Sequence, residues 1–177
     1  MNRNLDEDVS STLSLLSDAR GNYTLLFFVQ VSKQMTIGKL GLGTFQRGCY
    51  AYTGSALGRG SSGLGGRIRR HIRKDKVKRW HIDYLLSDKD VNLTAVVAGI
   101  MSQKMECAIN QCLREMFCAH IPFSGFGSSD CTEHCGSHLL FLGQTRNVVE
   151  KTVELYKEKA DGDVFVFRLQ LATSFSR

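Results

Sequence analysis

The sequence predicts an α+β fold in which a small, central, mainly antiparallel sheet is flanked by helices. Three observations predict it. Residues 23–31 are rich in aromatic and β-branched side chains, with apolar groups at both parities, as in a central strand buried on two faces. The connection to a second strand at 48–53 is punctuated by Gly38, Gly41 and Gly43 and is too short for a crossover helix, so that strand runs antiparallel to the first. Helical apolar periods then begin at Leu64 and again near Lys104.

The elements follow in order. Residues 1–20 read as a polar, mobile leader, and 21–177 as a single domain. The stretch 54–66 is a permissive glycine-serine loop. From Leu64, a helix places Ile68 and Ile72 on one stripe, with Arg67 and His71 four apart on the same side, so two polar groups face a cleft. A short helix is expected at 80–86 and a strand at 91–100. The helix at 104–118 has Met105, Ile109, Cys112, Leu113 and Met116 on its apolar face, with Glu106 at the margin. A polar loop at 122–136, a strand at 138–142, an amphipathic helix at 147–159 and a closing strand at 163–171 complete the chain.

At 177 residues the chain can bury a core without disulfides or a metal. Its 42% apolar and 23% charged content argues against intrinsic disorder, and no run reaches the ~20 apolar residues of a spanning helix, so no membrane role is expected. Asp6, Glu7 and Asp8 fit neither a signal nor a transit peptide, which implies a cytoplasmic protein whose six cysteines are reduced thiols. Nine of the 23 basic residues, among them Arg69, Arg70, Arg73 and Lys74, fall within positions 59–79 against one acid, Asp75. That block suits a polyanion, and these four residues are candidate nucleic-acid contacts.

Phosphodiester hydrolysis needs an activated water, charge neutralisation at the non-bridging oxygens and usually a hard divalent cation. Tyr23 and Tyr52, on neighbouring strands, can place two phenols near one point. A phenol is a poor base at its free pKa of ~10, so that role depends on a nearby cation. Gly54 lets a phosphate approach the backbone. Arg67 can grip phosphate oxygens bidentately, and His71 can exchange a proton near neutral pH. Glu106 is the best isolated carboxylate for Mg²⁺. The cluster Cys131, His134, Cys135 and His138 reads either as zinc ligands at compressed spacing or as a loop bracing the site through Asp130, His134 or His138.

The series Gly21-Asn22-Tyr23, Tyr52-Thr53-Gly54, Arg67 with His71, and a helical Glu106 resembles the GIY-YIG nuclease superfamily. The segments 48–56, 80–86, Glu106-Cys107 and 125–131 are similar to its Uri-type branch. The resemblance spans about residues 21–143. It implies a three-stranded antiparallel sheet and a DNA endonuclease, with RNA also open as a substrate, using one Mg²⁺ or Mn²⁺ ion. It further implies a functional link to a DNA-repair glycosylase. By analogy Tyr23 orients or deprotonates water, Tyr52 supports the nucleophile, Arg67 stabilises the pentavalent phosphate, His71 handles protons and Glu106 holds the metal. Gly48-Cys49-Tyr50 is a rival first motif that would transfer the base to Tyr50; Tyr23 is preferred because Tyr50 and Tyr52 share a strand. The alternative function is a nucleic-acid-binding module that kept the scaffold without efficient cleavage.

Overall fold

The computed structural model describes residues 3–129 and 131–169, with side chains from residue 9 onward. Its centre is an antiparallel sheet of five strands in the order β6-β4-β1-β5-β7, formed by β1 (Gly21–Val29), β4 (Gly48–Ala56), β5 (Val91–Ile100), β6 (Leu139–Gly143) and β7 (Val164–Arg168). β1 lies in the middle and is almost wholly buried, as its two-faced apolar pattern requires. The three strands implied by the family resemblance form the centre of this sheet. The short apolar runs of β6 and β7 pair outside β4 and β5 and extend it to five. The glycine-punctuated turn region instead carries a separate hairpin, β2 (Lys33–Thr36) with β3 (Leu42–Phe45).

Alternate residues of the strands face two helical layers. Tyr23, Leu25, Phe27 and Val29 pack with α1 (Arg3–Leu15), α2 (Leu64–Ile72) and α3 (His81–Leu86), through Leu13, Leu16, Leu64, Ile68, Ile82 and Leu85. Leu26, Ala51, Ala95 and Val97 pack on the other face with α4 (Glu106–Met116) and α5 (Val148–Lys159), through Ile109, Leu113, Leu155 and Tyr156.

The reading of residues 1–20 as a polar leader is corrected here. They contain α1, with Leu13 and Leu16 buried against the core. The apolar face, Val9, Leu13 and Leu16, is narrow, and serines and acids conceal it in the composition. The segment that follows α1 also caps α2. The amide of Leu64 donates to the carbonyl of Ala19, and that of Gly65 to Leu16, satisfying two of the N–H groups a helix start leaves open. This docking requires bare backbone: a Cβ on Gly65 would lie 2.1 Å from the Leu13 carbonyl oxygen. The glycine-rich loop is therefore a close-packed joint that sets the position of α2, the helix carrying Arg67 and His71.

Candidate active site

β1 and β4 pair so that Tyr23 lies opposite Gly54, and Tyr52 opposite Leu25. Tyr23 and Tyr52 are thus diagonal neighbours on one face of the sheet. Both line a cavity of about 470 Å³, together with Gly54, Arg67, Lys104, Glu106 and His138. The candidate residues drawn from two strands and two helices meet there. Trp80, His81, Arg79, Gly127 and Ser129 complete the wall.

His71 stands behind this surface. It is 2% exposed, and its Nε2 lies 2.9 Å from the Tyr23 hydroxyl. Burial, followed by the cations Lys76, Arg70 and Arg67, holds the imidazole pKa well below its usual 6.5, so His71 is neutral at physiological pH. Burial pushes the Tyr23 phenol up to about 12, with the adjacent Arg67 guanidinium pulling the other way. Burial also raises Tyr52, reinforced by Tyr23 beside it. Both phenols therefore carry their protons at neutral pH.

The His71 shift has a consequence for stability. The unfolded chain takes up a proton at this residue below about pH 6.5, while the folded chain resists it until the lower folded pKa. The stabilisation is complete above that ordinary value and is lost as the pH falls below it. In urea unfolding from about pH 7.5 to about pH 5, wild type is expected to lose stability more steeply than His71→Gln. Parallel pH dependences would rule this out.

Arg67 lies under the cavity with its guanidinium carbon 4.9 Å from the Trp80 ring centroid. Its buried Nε has no hydrogen-bond partner among the described residues, and the side chain lines the cavity. Trp80 is held in turn by Asp83, a fully buried carboxylate that accepts from the amides of Arg79 and Trp80, each at 2.9 Å. Gly54 lines the cavity and also makes room within the sheet. A Cβ there would lie 2.7 Å from the Tyr23 hydroxyl oxygen, so the missing side chain makes room for the phenol across the strand pair.

The basic block divides. Arg70 is taken up by Asp83, with contacts at 2.8 and 3.1 Å, and also stacks on Trp80, 4.4 Å from its ring centroid. Lys74 donates to the backbone carbonyls of Asp88 and Val91. These two groups brace the fold, whereas Arg69, Arg73 and Lys76, with one edge of Arg70, line a second open groove. Arg79 lines both groove and cavity and so joins them. Tyr50, the rival to Tyr23, is excluded from the cavity wall: it is stacked between Phe27 and Phe141, and its hydroxyl donates to the Gln46 carbonyl.

Glu106, 6% exposed, opens α4 at the cavity, and Lys104 Nζ lies 3.0 Å from its Oε1. Among the described residues it is the one carboxylate lining the cavity, and Asp130 lies outside them. One carboxylate, supplemented by waters and substrate phosphate, is a donor set that Mg²⁺ or Mn²⁺ accepts. Its position is secured by Asn22. The Asn22 Oδ1 accepts from the Met105 amide and its Nδ2 donates to the Gln103 carbonyl, both at 3.0 Å, immediately before α4. Sequence reading missed the part played by Asn22 because its partners are some eighty residues away. It also missed His81, whose Nδ1 accepts from the Gly127 amide at 3.1 Å.

The fold and this cavity define a small α+β domain with a polar, partly cationic cleft at one end of its sheet. The chain belongs to the family described as Domain of unknown function DUF123, whose model matches residues 22–161. The match includes every cavity residue named above. No curated protein and no solved structure gives a significant match. Among the described residues no helix is long and apolar enough to cross a membrane.

Proposed function

We propose that this protein is a divalent-metal-dependent DNA endonuclease of GIY-YIG type, close to the Uri branch, that acts on structured or damaged DNA. The observation carrying this reading is the convergence of Tyr23, Tyr52, Arg67 and Glu106 on one cavity, joined through Arg79 to a groove of arginines. Arginine suits the phosphate backbone because its planar fork can donate two parallel hydrogen bonds. The groove positions the nucleic acid, and Arg67 meets the non-bridging oxygens of the scissile phosphate.

With its pKa near 12, Tyr23 is a water-orienting group in the resting site. The hydrogen bond between its hydroxyl and His71 Nε2, at 2.9 Å, fixes the phenol in the cavity wall, where it can orient a water. Water adds to phosphorus and gives up a proton, one P–O ester bond breaks, and the departing oxygen takes up a proton, so that one water is added across the ester overall. Arg67 spreads the charge that builds on the equatorial oxygens. Glu106 would hold a Mg²⁺ or Mn²⁺ ion, which when bound would supply Lewis-acid neutralisation of the reacting phosphate.

The decisive experiment incubates the full chain with nicked, branched, abasic and single-stranded DNA and with RNA, plus Mg²⁺ or Mn²⁺. Cleavage of at least one DNA substrate is expected, abolished by chelator. Binding that weakens steeply with salt but yields no product on any substrate would replace this reading with that of a binding module. Absence of both would end the nucleic-acid assignment.

A further inference from the structure

We propose that Cys107, Cys131, Cys135 and His138 bind a structural Zn²⁺ ion, at a centre separate from the hydrolytic cation site and independent of the nuclease reading. The four donor atoms lie within 4.8 Å of one another. Cys107 Sγ is 3.5 Å from Cys131 Sγ and 3.6 Å from His138 Nε2. A tetrahedral zinc centre with Zn–S near 2.3 Å has ligand–ligand edges of about 3.8 Å, so side-chain adjustments of up to about an ångström close the set.

The sequence alone presented two thiols and two imidazoles crowded into one loop, without the separated second pair that zinc sites use. Folding supplies the distant ligand. Cys107, in the first turn of α4, comes to the loop from 24 positions upstream of Cys131. His134 falls outside the cluster. Three soft sulfurs and one imidazole favour Zn²⁺ over the hard cations that Glu106 suits. Four protein ligands leave no open position for a reacting water, as in closed structural sites.

The surroundings fit thiolates and a ligating imidazole. The Gln111 amide Nε2 lies 3.9 Å from Cys135 Sγ. His138 turns Nε2 to the thiols, with its Nδ1 on the side of Glu106, 3.9 Å from Oε1 and beyond direct hydrogen-bond length. The ion would tie α4, the irregular segment before β6 and the start of β6 together. That segment carries Gly127 and Ser129 of the cavity wall. The zinc centre therefore holds one side of the candidate active site in place.

The test is elemental analysis of the full chain, purified without chelator. About one zinc per chain is expected, and Co²⁺ exchanged into the site should give thiolate charge-transfer and intense tetrahedral d–d absorption. Cys107→Ser and Cys135→Ser should lose the ion, whereas Cys118→Ser, at an exposed thiol outside the cluster, should keep it. Should the ligand variants fail to fold, wild type still decides: titration with a mercurial should release zinc in step with modification of three protected thiols. Stoichiometric iron, an intrachain disulfide among the three cysteines, zinc below about a tenth of an equivalent with no Co²⁺ spectrum, or zinc retained by Cys107→Ser would each overturn the assignment. None of these readouts depends on cleavage, so this proposal and the nuclease proposal can fail separately.

Discussion

Glu106→Gln and Arg67→Ala are each expected to slow metal-dependent DNA cleavage by about 10²–10³-fold, the usual cost of removing one group that meets developing charge in a transition state. Glutamine keeps the shape of Glu106 and removes the charge a divalent cation needs. It also breaks the contact with Lys104, but that side chain is 44% exposed and water can take over much of the partnership. Stability should change little, and the loss should appear in metal activation and turnover. At Arg67 the lost interaction is the guanidinium fork. Arg67→Lys retains the positive charge without the fork or the same stacking on Trp80, and should recover only a small part of the rate. Binding through Arg69, Arg73 and Arg79 should persist in both variants. Single-turnover cleavage with Mg²⁺ and Mn²⁺ measures the effect. Rates within roughly threefold of wild type for either variant would remove that residue from the reacting site.

Much of this arrangement was legible in the sequence because the relevant signals were local. The two-faced apolar pattern of β1 placed it at the sheet centre, and the four-residue interval between Arg67 and His71 put both on the inner side of α2. The face of α4 placed Glu106 at its margin. Local spacing cannot say which charges are already satisfied. Arg70 and Lys74 look like Arg69 and Arg73 in the sequence, yet Asp83 and the carbonyls of Asp88 and Val91 engage them from other elements. A second demand on Gly54 was hidden for the same reason, since the phenol it makes room for belongs to Tyr23 on the facing strand. The helical spacing of Val9, Leu13 and Leu16 was the available signal for α1, but three apolar positions among serines and acids are weak evidence without the partner surface. Cys107 could join the cysteine–histidine cluster only once α4 had been laid against the loop.

Asn22 presents the sharpest case of a long-range constraint at a motif position. Asn22→Leu replaces the amide with an aliphatic group of similar volume. The expected result is a loss of stability of about 1–3 kcal/mol, because the part-buried hydrogen bonds to the Met105 N–H and the Gln103 carbonyl are both lost, at roughly 0.5–1.5 kcal/mol each. Asn22 is fully buried, so water cannot readily replace its amide. A second loss should follow from position. Met105 immediately precedes α4, and Glu106 is that helix's first residue, so releasing the Met105 amide loosens the carboxylate that is to meet the cation. Urea unfolding measures the first effect. The second is read at a temperature where the variant remains folded, as a shift of the metal-activation midpoint to higher concentration with a smaller change in DNA affinity. A residue with only a structural role would lower the unfolding midpoint and leave metal activation of the folded fraction unchanged, and that outcome would separate Asn22 from the positioning of Glu106.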